Sequence, residues 1–389
     1  MTHPHIPYGR QTISEQDIEA VIDVLRSDWI TQGPKIAEFE QAVADFCDVK
    51  YAVAVSSATA ALHISCMALE LGGGDRLWTS PNTFVASANC GLYCGAAVDF
   101  VDIDSIYYNL CPEQLERKLT EAKKSGTLPK VVVPVHLAGQ SCDMARISDL
   151  AQIYGFSVLE DASHAIGAYY RGKPVGCCEF SDLAVFSFHP VKIITTAEGG
   201  MVVTNRRDLY EKLIRLRTHG ITRDADLMTE DAHGPWYYQQ VDLGFNYRIT
   251  DIQAALGWSQ MQRLEEFCDR RRFLARRYDE LLQGLPLTLP AQAPETNSSW
   301  HLYIIRLNLA KVEQSHREVF EALRAANVGV NLHYIPVHTQ PYYQQIGFRW
   351  GDFSQAEQYY REALSIPLYY GLQETDQDYI VERLWEVTR

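Results

Sequence analysis

The 389-residue chain lacks any run of about 18 apolar residues, the length a membrane-crossing helix needs, so no transmembrane segment is expected. It is also short of positive charge. Its 35 Lys and Arg stand against 49 Asp and Glu, a formal charge of −14. Binding a nucleic-acid backbone takes a basic surface, so nucleic acid is not an expected partner, and any phosphate must be held by a local pocket. The opening MTHPHIPYGR has no apolar core of signal-peptide length, which makes a cytoplasmic protein the expectation. The nine cysteines are scattered without zinc-ligand spacing. Cys90 and Cys94 lie close together, as do Cys177 and Cys178, but no His/Cys pair follows at ligand distance, so free interior thiols and no metal are expected. Internal repeats, low-complexity tracts and a G-x-G-x-x-G fingerprint are missing as well. LGGGD at 71–75 follows a helical stretch and reads as a turn, which argues against a nicotinamide-dependent reductase.

With 47% hydrophobic and 22% charged residues, the chain has enough apolar surface for a compact fold of one large and one small unit. Residues 50–205 alternate β-branched apolar runs with helical periodicity, the pattern of a mostly parallel α/β sheet covered by helices. Strands are expected at YAVAVSS (51–57), KVVVPVHLAG (130–139) and FSVLED (156–161). DLAVFSFH (182–189) and GGMVVTN (199–205) read as two strands of a hairpin-like unit. Residues 218–241 are polar, turn-rich and aperiodic, and read as a long functional loop that crosses to a partner subunit. One long helix is expected from 249 to 285, with Leu264, Phe267, Leu274, Tyr278 and Leu281 on one face and its arginines on a solvated or interface face. Past residue 285 the pattern changes to α+β, with strands expected at 299–309 and 328–337. The expected division is therefore a large domain over residues 1–250 and a small one over 251–389.

Three short stretches carry chemistry. Lys192 follows an apolar strand and a proline in FSFHPVKIITTAEGG, a setting that lowers an amine's affinity for its proton and suits Schiff-base chemistry; alone, it also reads as a lysine at an exposed turn. Asp161 ends an apolar strand in SVLEDASHAIGA, at the sheet edge where open α/β sheets bind ligands, although an acid there also serves as a helix N-cap. SSATAAL (56–62) joins a strand to a helix whose free N–H groups suit an anion, or form an ordinary Ser/Thr cap. Ser187, five residues before Lys192, is placed to add a hydroxyl to the same anion. A lysine paired with an aspartate in this way suits pyridoxal phosphate (PLP), whose ring works as an electron sink while its nitrogen stays protonated.

SSATAAL, EDASHAIGAYYRGKPVG, FSFHPVKIITTAEGGMVVTN and GFNYRITDIQAALG, in this order, resemble the sugar-nucleotide aminotransferases of the DegT/StrS type, PLP enzymes of the aspartate-aminotransferase fold. The resemblance spans essentially the whole chain. It implies the type I fold of PLP-dependent transferases, with a large α/β domain on a mostly parallel mixed sheet and a smaller α+β C-terminal domain. By resemblance Lys192 carries PLP (PMP after amination), Asp161 pairs with the ring nitrogen, His164 lies beside the ring and Phe84 stacks on it. Ala58, Thr59 and Ser187 match the phosphate cradle. Asn246 matches an asparagine that reaches the phosphate of the other subunit in a homodimer with shared active sites, and Arg248 follows it. Tyr8, Trp29, Thr31, Ser57, His189, His333 and Tyr334 match positions lining the nucleotide-sugar pocket; the last two also read as packed strand residues. The closest likeness is to the UDP-linked aminotransferases of pseudaminic acid biosynthesis, implying L-glutamate as donor and the C4 ketone of a UDP-linked 6-deoxy-N-acetylhexosamine as acceptor. WIT, AVSSATA and HTQ also occur in the aminotransferases that make 4-amino-arabinose, which keeps a UDP-4-keto-pentose open. Family members that dehydrate sugars carry histidine at the lysine position, so Lys192 favours transamination. A PLP-binding sensor without turnover is the remaining alternative.

Overall fold

A computed structural model describes residues 3–388. Seven strands form the central sheet: β1 (Tyr51–Val55), β2 (Arg76–Thr79), β3 (Ala97–Phe100), β4 (Val131–Val133), β5 (Ser157–Asp161), β6 (Leu183–Ser187) and β7 (Gly200–Thr204). Their order across the sheet is β1-β7-β6-β5-β4-β2-β3. The β6–β5–β4–β2–β3 neighbours run parallel, and β7 is antiparallel to both β1 and β6. This mixed, mostly parallel α/β sheet is the expected one, and β6 and β7 are the expected hairpin-like pair.

Both faces of the sheet are covered, which is why its strands are apolar throughout. The two-residue period sends alternate side chains to opposite faces. Val53, Val55, Val185 and Val202 pack with the Ala58–Ala68 and Arg207–Leu216 helices. Ala52, Ala54, Phe186, Met201 and Val203 pack with the Pro34–Cys47 helix on the other face. All nine cysteines are free, and only Cys94 and Cys177 are not buried. Among the described residues no helix is long and apolar enough to cross a membrane.

The expected long helix over 249–285 is two helices, Asp251–Met261 and Leu264–Leu281. Thr250 and Gln253 start the first with a reciprocal capping box. No proline or glycine interrupts them at Gln262–Arg263, and the residues on both sides of the break pack on the same core. Ala254, Met261, Leu264, Phe267 and Cys268 belong to the core under the sheet, whereas Leu274 and Tyr278 belong to a separate core with Tyr303, Ile305, Leu364 and Leu384. The change of core therefore falls inside the second helix, downstream of residue 250.

Three expected strands are shorter or absent, the 299–309 run being a strand only over Tyr303–Leu307. The 130–139 run stays a strand only to Val133; Pro134 cannot donate to the ladder, and a 3₁₀ turn follows at Leu137–Gly139. Residues 328–337 make only isolated bridges, Val328 to Ile6 and Asn331 to Ser365, because Tyr334 N–H goes to Asn82 Oδ1 (3.2 Å) and Val337 N–H to the Pro81 carbonyl (2.8 Å). The 218–241 segment is mainly loop, clipped by Ile221–Thr222 against Gln239–Gln240.

The arginine face also needs one correction. Arg271 is buried, and its Nη1 donates to the carbonyls of Trp300 (3.2 Å), His301 (3.3 Å) and Leu368 (2.9 Å). It ties the second helix to the segment that forms one wall of the cavity described below. Arg271→Leu leaves those carbonyls buried without their donor. The expected cost is about 3 kcal/mol in denaturant unfolding, with partial recovery in Arg271→Lys.

Candidate active site

Parallel strands carry their C-terminal ends to one edge of the sheet, and the chain opens a cavity of about 550 Å³ there. Asp161 comes from the end of β5, Ser187 from the end of β6, and Ser57, Ala58 and Thr59 from the turn after β1. Lys192 reaches in from the β6–β7 connection. That connection is a folded loop: Lys192 N–H bonds the His189 carbonyl (2.9 Å), while Thr195 Oγ1 and Thr196 N–H both donate to the Phe188 carbonyl (2.9 and 3.0 Å). The Thr-Thr-Ala-Glu-Gly-Gly stretch thus turns the lysine back over the strand ends.

Burial disfavours the Lys192 ammonium and brings its pKa down to about 8, even though the negative charge of Asp161 works the other way. A neutral amine, the form that adds to a carbonyl, is therefore present near neutral pH.

Asp161 is held from both sides. Ser87 Oγ donates to Oδ2 (2.6 Å) and the Ser163 N–H to Oδ1 (3.1 Å), and Thr83 Oγ1 bonds Ser87 Oγ (2.7 Å). Sequence reasoning missed Ser87 and Thr83; their i, i+4 spacing within SPNTFVAS, at the start of a helix, was the available signal.

At the other end of the cavity Ser57 caps its helix by accepting from Ala60 N–H (3.1 Å), which leaves the Ala58 and Thr59 amides turned to the cavity. The cap and the anion site therefore coexist. Gly200 is paired with Ser187, and a Cβ on it would stand 2.6 Å from Ala58 N, so β7 approaches this turn as only glycine can.

The remaining wall comes from residues 299–302 and 331–334. His164 Nδ1 accepts from the Ala138 N–H (3.3 Å), which puts the ring proton on Nε2, 3.0 Å from Tyr334 Oη. His333 Nδ1 bonds Ser365 Oγ (2.8 Å) and its Nε2 faces Asn331 Nδ2 (3.4 Å). Gly139, at φ +96°, permits the close stack behind them: a Cβ there would lie 2.6 Å from Ser299 Oγ and 3.0 Å from both the His164 carbonyl and His301 N.

Tyr8, Phe84 and His189 also line the cavity, Phe84 with 58% of its surface open. Trp29 and Thr31 do not line it; both are exposed on the loop before the Pro34–Cys47 helix. Asn246 and Arg248 make backbone bridges to Thr218 and Val55, and neither lines this chain's own cavity.

The DegT/DnrJ/EryC1/StrS aminotransferase family model matches residues 11–385. The chain belongs to that family. It is 38% identical over 387 residues to the spore coat polysaccharide biosynthesis protein SpsC of Bacillus subtilis, covering 99% of this chain and 97% of SpsC. Helicobacter pylori PseC, an aminotransferase involved in the biosynthesis of pseudoaminic acid, superposes with a TM-score of 0.90 at 30% identity, covering 99% of each chain. Spr1654 of Streptococcus pneumoniae, in its PLP form, superposes with a TM-score of 0.88 at 31% identity, covering 99% of this chain and 98% of that one. This is a PLP-dependent sugar aminotransferase of the type I fold.

The cavity of this aminotransferase fits the cofactor group by group. Lys192 offers the amine for the aldehyde and Asp161 the carboxylate for the ring nitrogen. The helix N-terminus and the Ser187 hydroxyl, which has no intramolecular partner among the described residues, offer donors for the phosphate.

Two pH dependences follow. In cofactor-free protein, reaction of Lys192 with trinitrobenzenesulfonate is expected to rise through a midpoint near pH 8, and Asp161→Asn to lower that midpoint, since the carboxylate favours the ammonium. A midpoint at the ordinary lysine value of 10.5 contradicts the burial.

The second concerns the imidazoles. Burial, reinforced by neighbouring positive charge, holds His164, His301 and His333 below the usual imidazole range, His333 at about 3. Below pH 6.5 the unfolded chain takes up protons that the folded chain refuses. Stability in urea is therefore expected to be full above that value and to fall as the pH drops toward 3, with a shallower slope in His333→Gln.

Proposed function

We propose that this aminotransferase works as a homodimer, moving the amino group of L-glutamate to the C4 ketone of a UDP-linked 4-keto-6-deoxy-N-acetylhexosamine. The observation that carries the reading is the amine of Lys192 in one cavity with the doubly hydrogen-bonded carboxylate of Asp161 and the free N–H groups after β1.

PLP, when bound, supplies an electron sink for the carbon attached to the transferred nitrogen. The protein supplies the rest. Lys192 as the amine would take a proton from the donor's carbon and, as the ammonium, pass it to the carbon on the other side of the transferred nitrogen, with the reverse shift serving the acceptor, which its lowered pKa allows near neutrality. Asp161, oriented by Ser87 and Ser163, would hold the proton on the ring nitrogen. His164 stays neutral and, through Nε2–H, orients Tyr334. A lysine at 192, where sugar-dehydrating members carry histidine, supports transfer over dehydration.

The acceptor assignment rests on HYIP (333–336) and LSIPL (364–368), and on the likeness to PseC. Asn246 and Arg248 are assigned to the partner's cavity, consistent with their lying outside their own. Trp29 and Thr31 are proposed to reach a nucleotide-sugar pocket in the same assembly. The 4-keto-pentose reading is carried by WIT, AVSSATA and HTQ.

One experiment separates these readings. The protein is given glutamate and a panel of nucleotide 4-keto-sugars, and the products are identified by NMR. The hexosamine is expected to be aminated fastest; faster amination of the pentose overturns the acceptor assignment, and no amination at all favours a sensor. Lys192→Ala is expected to lose both turnover and the borohydride-fixed cofactor on the 182–206 peptide.

A further inference from the structure

Four imidazoles line the cavity; His189 is exposed, and of the three buried ones, His164, His301 and His333, two have their hydrogen bonds filled. His164 is bonded at both nitrogens, by the Ala138 amide and Tyr334, and His333 by Ser365 and Asn331. His301 is bonded at neither. It is 4% exposed, its Nδ1 is sealed in protein without a partner, and its remaining surface belongs to the cavity.

Its placement is firmly built. The His301 carbonyl accepts from Arg271 Nη1 (3.3 Å), the neighbouring Leu302 N–H goes to the Ala138 carbonyl (3.4 Å), and Ser299 Oγ donates to the His164 carbonyl (3.1 Å). The ring lies 4.4 Å from that of His164, tilted by 50°. Burial first, with the nearby Lys192 ammonium adding to it, keeps it neutral, so it carries one proton. A sealed N–H without an acceptor is rarer and costlier than a sealed lone pair, which puts the proton on the cavity-side Nε2. That N–H points to a ligand oxygen. It sits beside His164 and within electrostatic reach of Lys192, so the oxygen belongs next to the reacting carbon rather than at the nucleotide end.

We propose that His301 is a ligand-contacting residue whose Nε2–H donates to an oxygen on the carbon adjacent to the reacting one. Two sources share this chemistry: the α-carboxylate of the amino donor and a ring hydroxyl of the sugar. The assignment rests on the transaminase reading, but part of its test needs no turnover.

The first measurement is ¹⁵N NMR of the imidazoles in holoenzyme labelled at histidine, with His301→Gln identifying the His301 signals. Protonated Nε2 and a shift on titration with glutarate or with UDP-N-acetylglucosamine are expected; a shift with neither leaves only water at this nitrogen and overturns the proposal. The second follows each half-reaction separately in His301→Leu and His301→Gln, the latter retaining a donor near the Nε2 position. His301→Leu is expected to raise KM about tenfold in the half-reaction whose substrate is bound, with partial rescue in His301→Gln. A rise for glutamate assigns the carboxylate, and a rise for the sugar assigns the hydroxyl. Wild-type KM in both, with only a lower melting temperature, means a packing role and overturns it. Failure of every sugar in the panel, with the glutarate shift intact, tells against the acceptor assignment and not against His301.

Discussion

A half-buried amine and a buried carboxylate in one cavity organise this protein's candidate active site. Lys192 loses proton affinity because the cavity wall displaces its hydration, and Asp161 moderates the loss without cancelling it. The surrounding structure keeps those two groups in place. The folded 188–199 connection turns the lysine inward, two hydroxyls and an amide fix the carboxylate, and β7 presses Gly200 against the helix N-terminus on the far side. Two of these contacts, Ser87 to Asp161 and Gly200 to Ala58, join residues far apart in sequence; the others are local.

The wall of the cavity built by His164, His301 and His333 is polar but uncharged. Imidazoles that would be half-protonated in water are neutral here, so they act as fixed donors and acceptors rather than as bulk positive charge. A wall of this kind orients a substrate through directional bonds and leaves proton movement to the lysine. Negative charge on the substrates then has to be met by the helix N-terminus and by residues that this chain's own cavity does not contain, which is where a partner's Asn246 and Arg248 enter the proposed dimer.

Several features were legible before folding. Alternating apolar strands announced the sheet, Asp161 and Ser187 sat at strand ends, and the lysine stood in a turn that neither a strand nor a helix explains. Short-range physics carries such signals, since periodicity, caps and turn residues act over a few positions. Arg271 was misread for the same reason: charge suggests a solvated face, and only the carbonyls of Trp300, His301 and Leu368, brought from elsewhere, make its burial tolerable. The 249–285 helix reads as one because no local residue breaks it; the structure breaks it at Gln262–Arg263, with Met261 and Leu264 on either side in the same core.

The sequence alone placed Asp161 and Ser187 at strand ends, Ser57 at the helix cap after β1 and Lys192 in a turn, because each depends on neighbours within a turn or a strand. Tertiary structure alone decided that Ser87 holds Asp161, that Tyr334 pairs with His164, and that His301 faces the cavity with its nitrogens unfilled. Those contacts span tens to hundreds of residues, and hydrogen-bond satisfaction across such distances is set only when the sheet has closed.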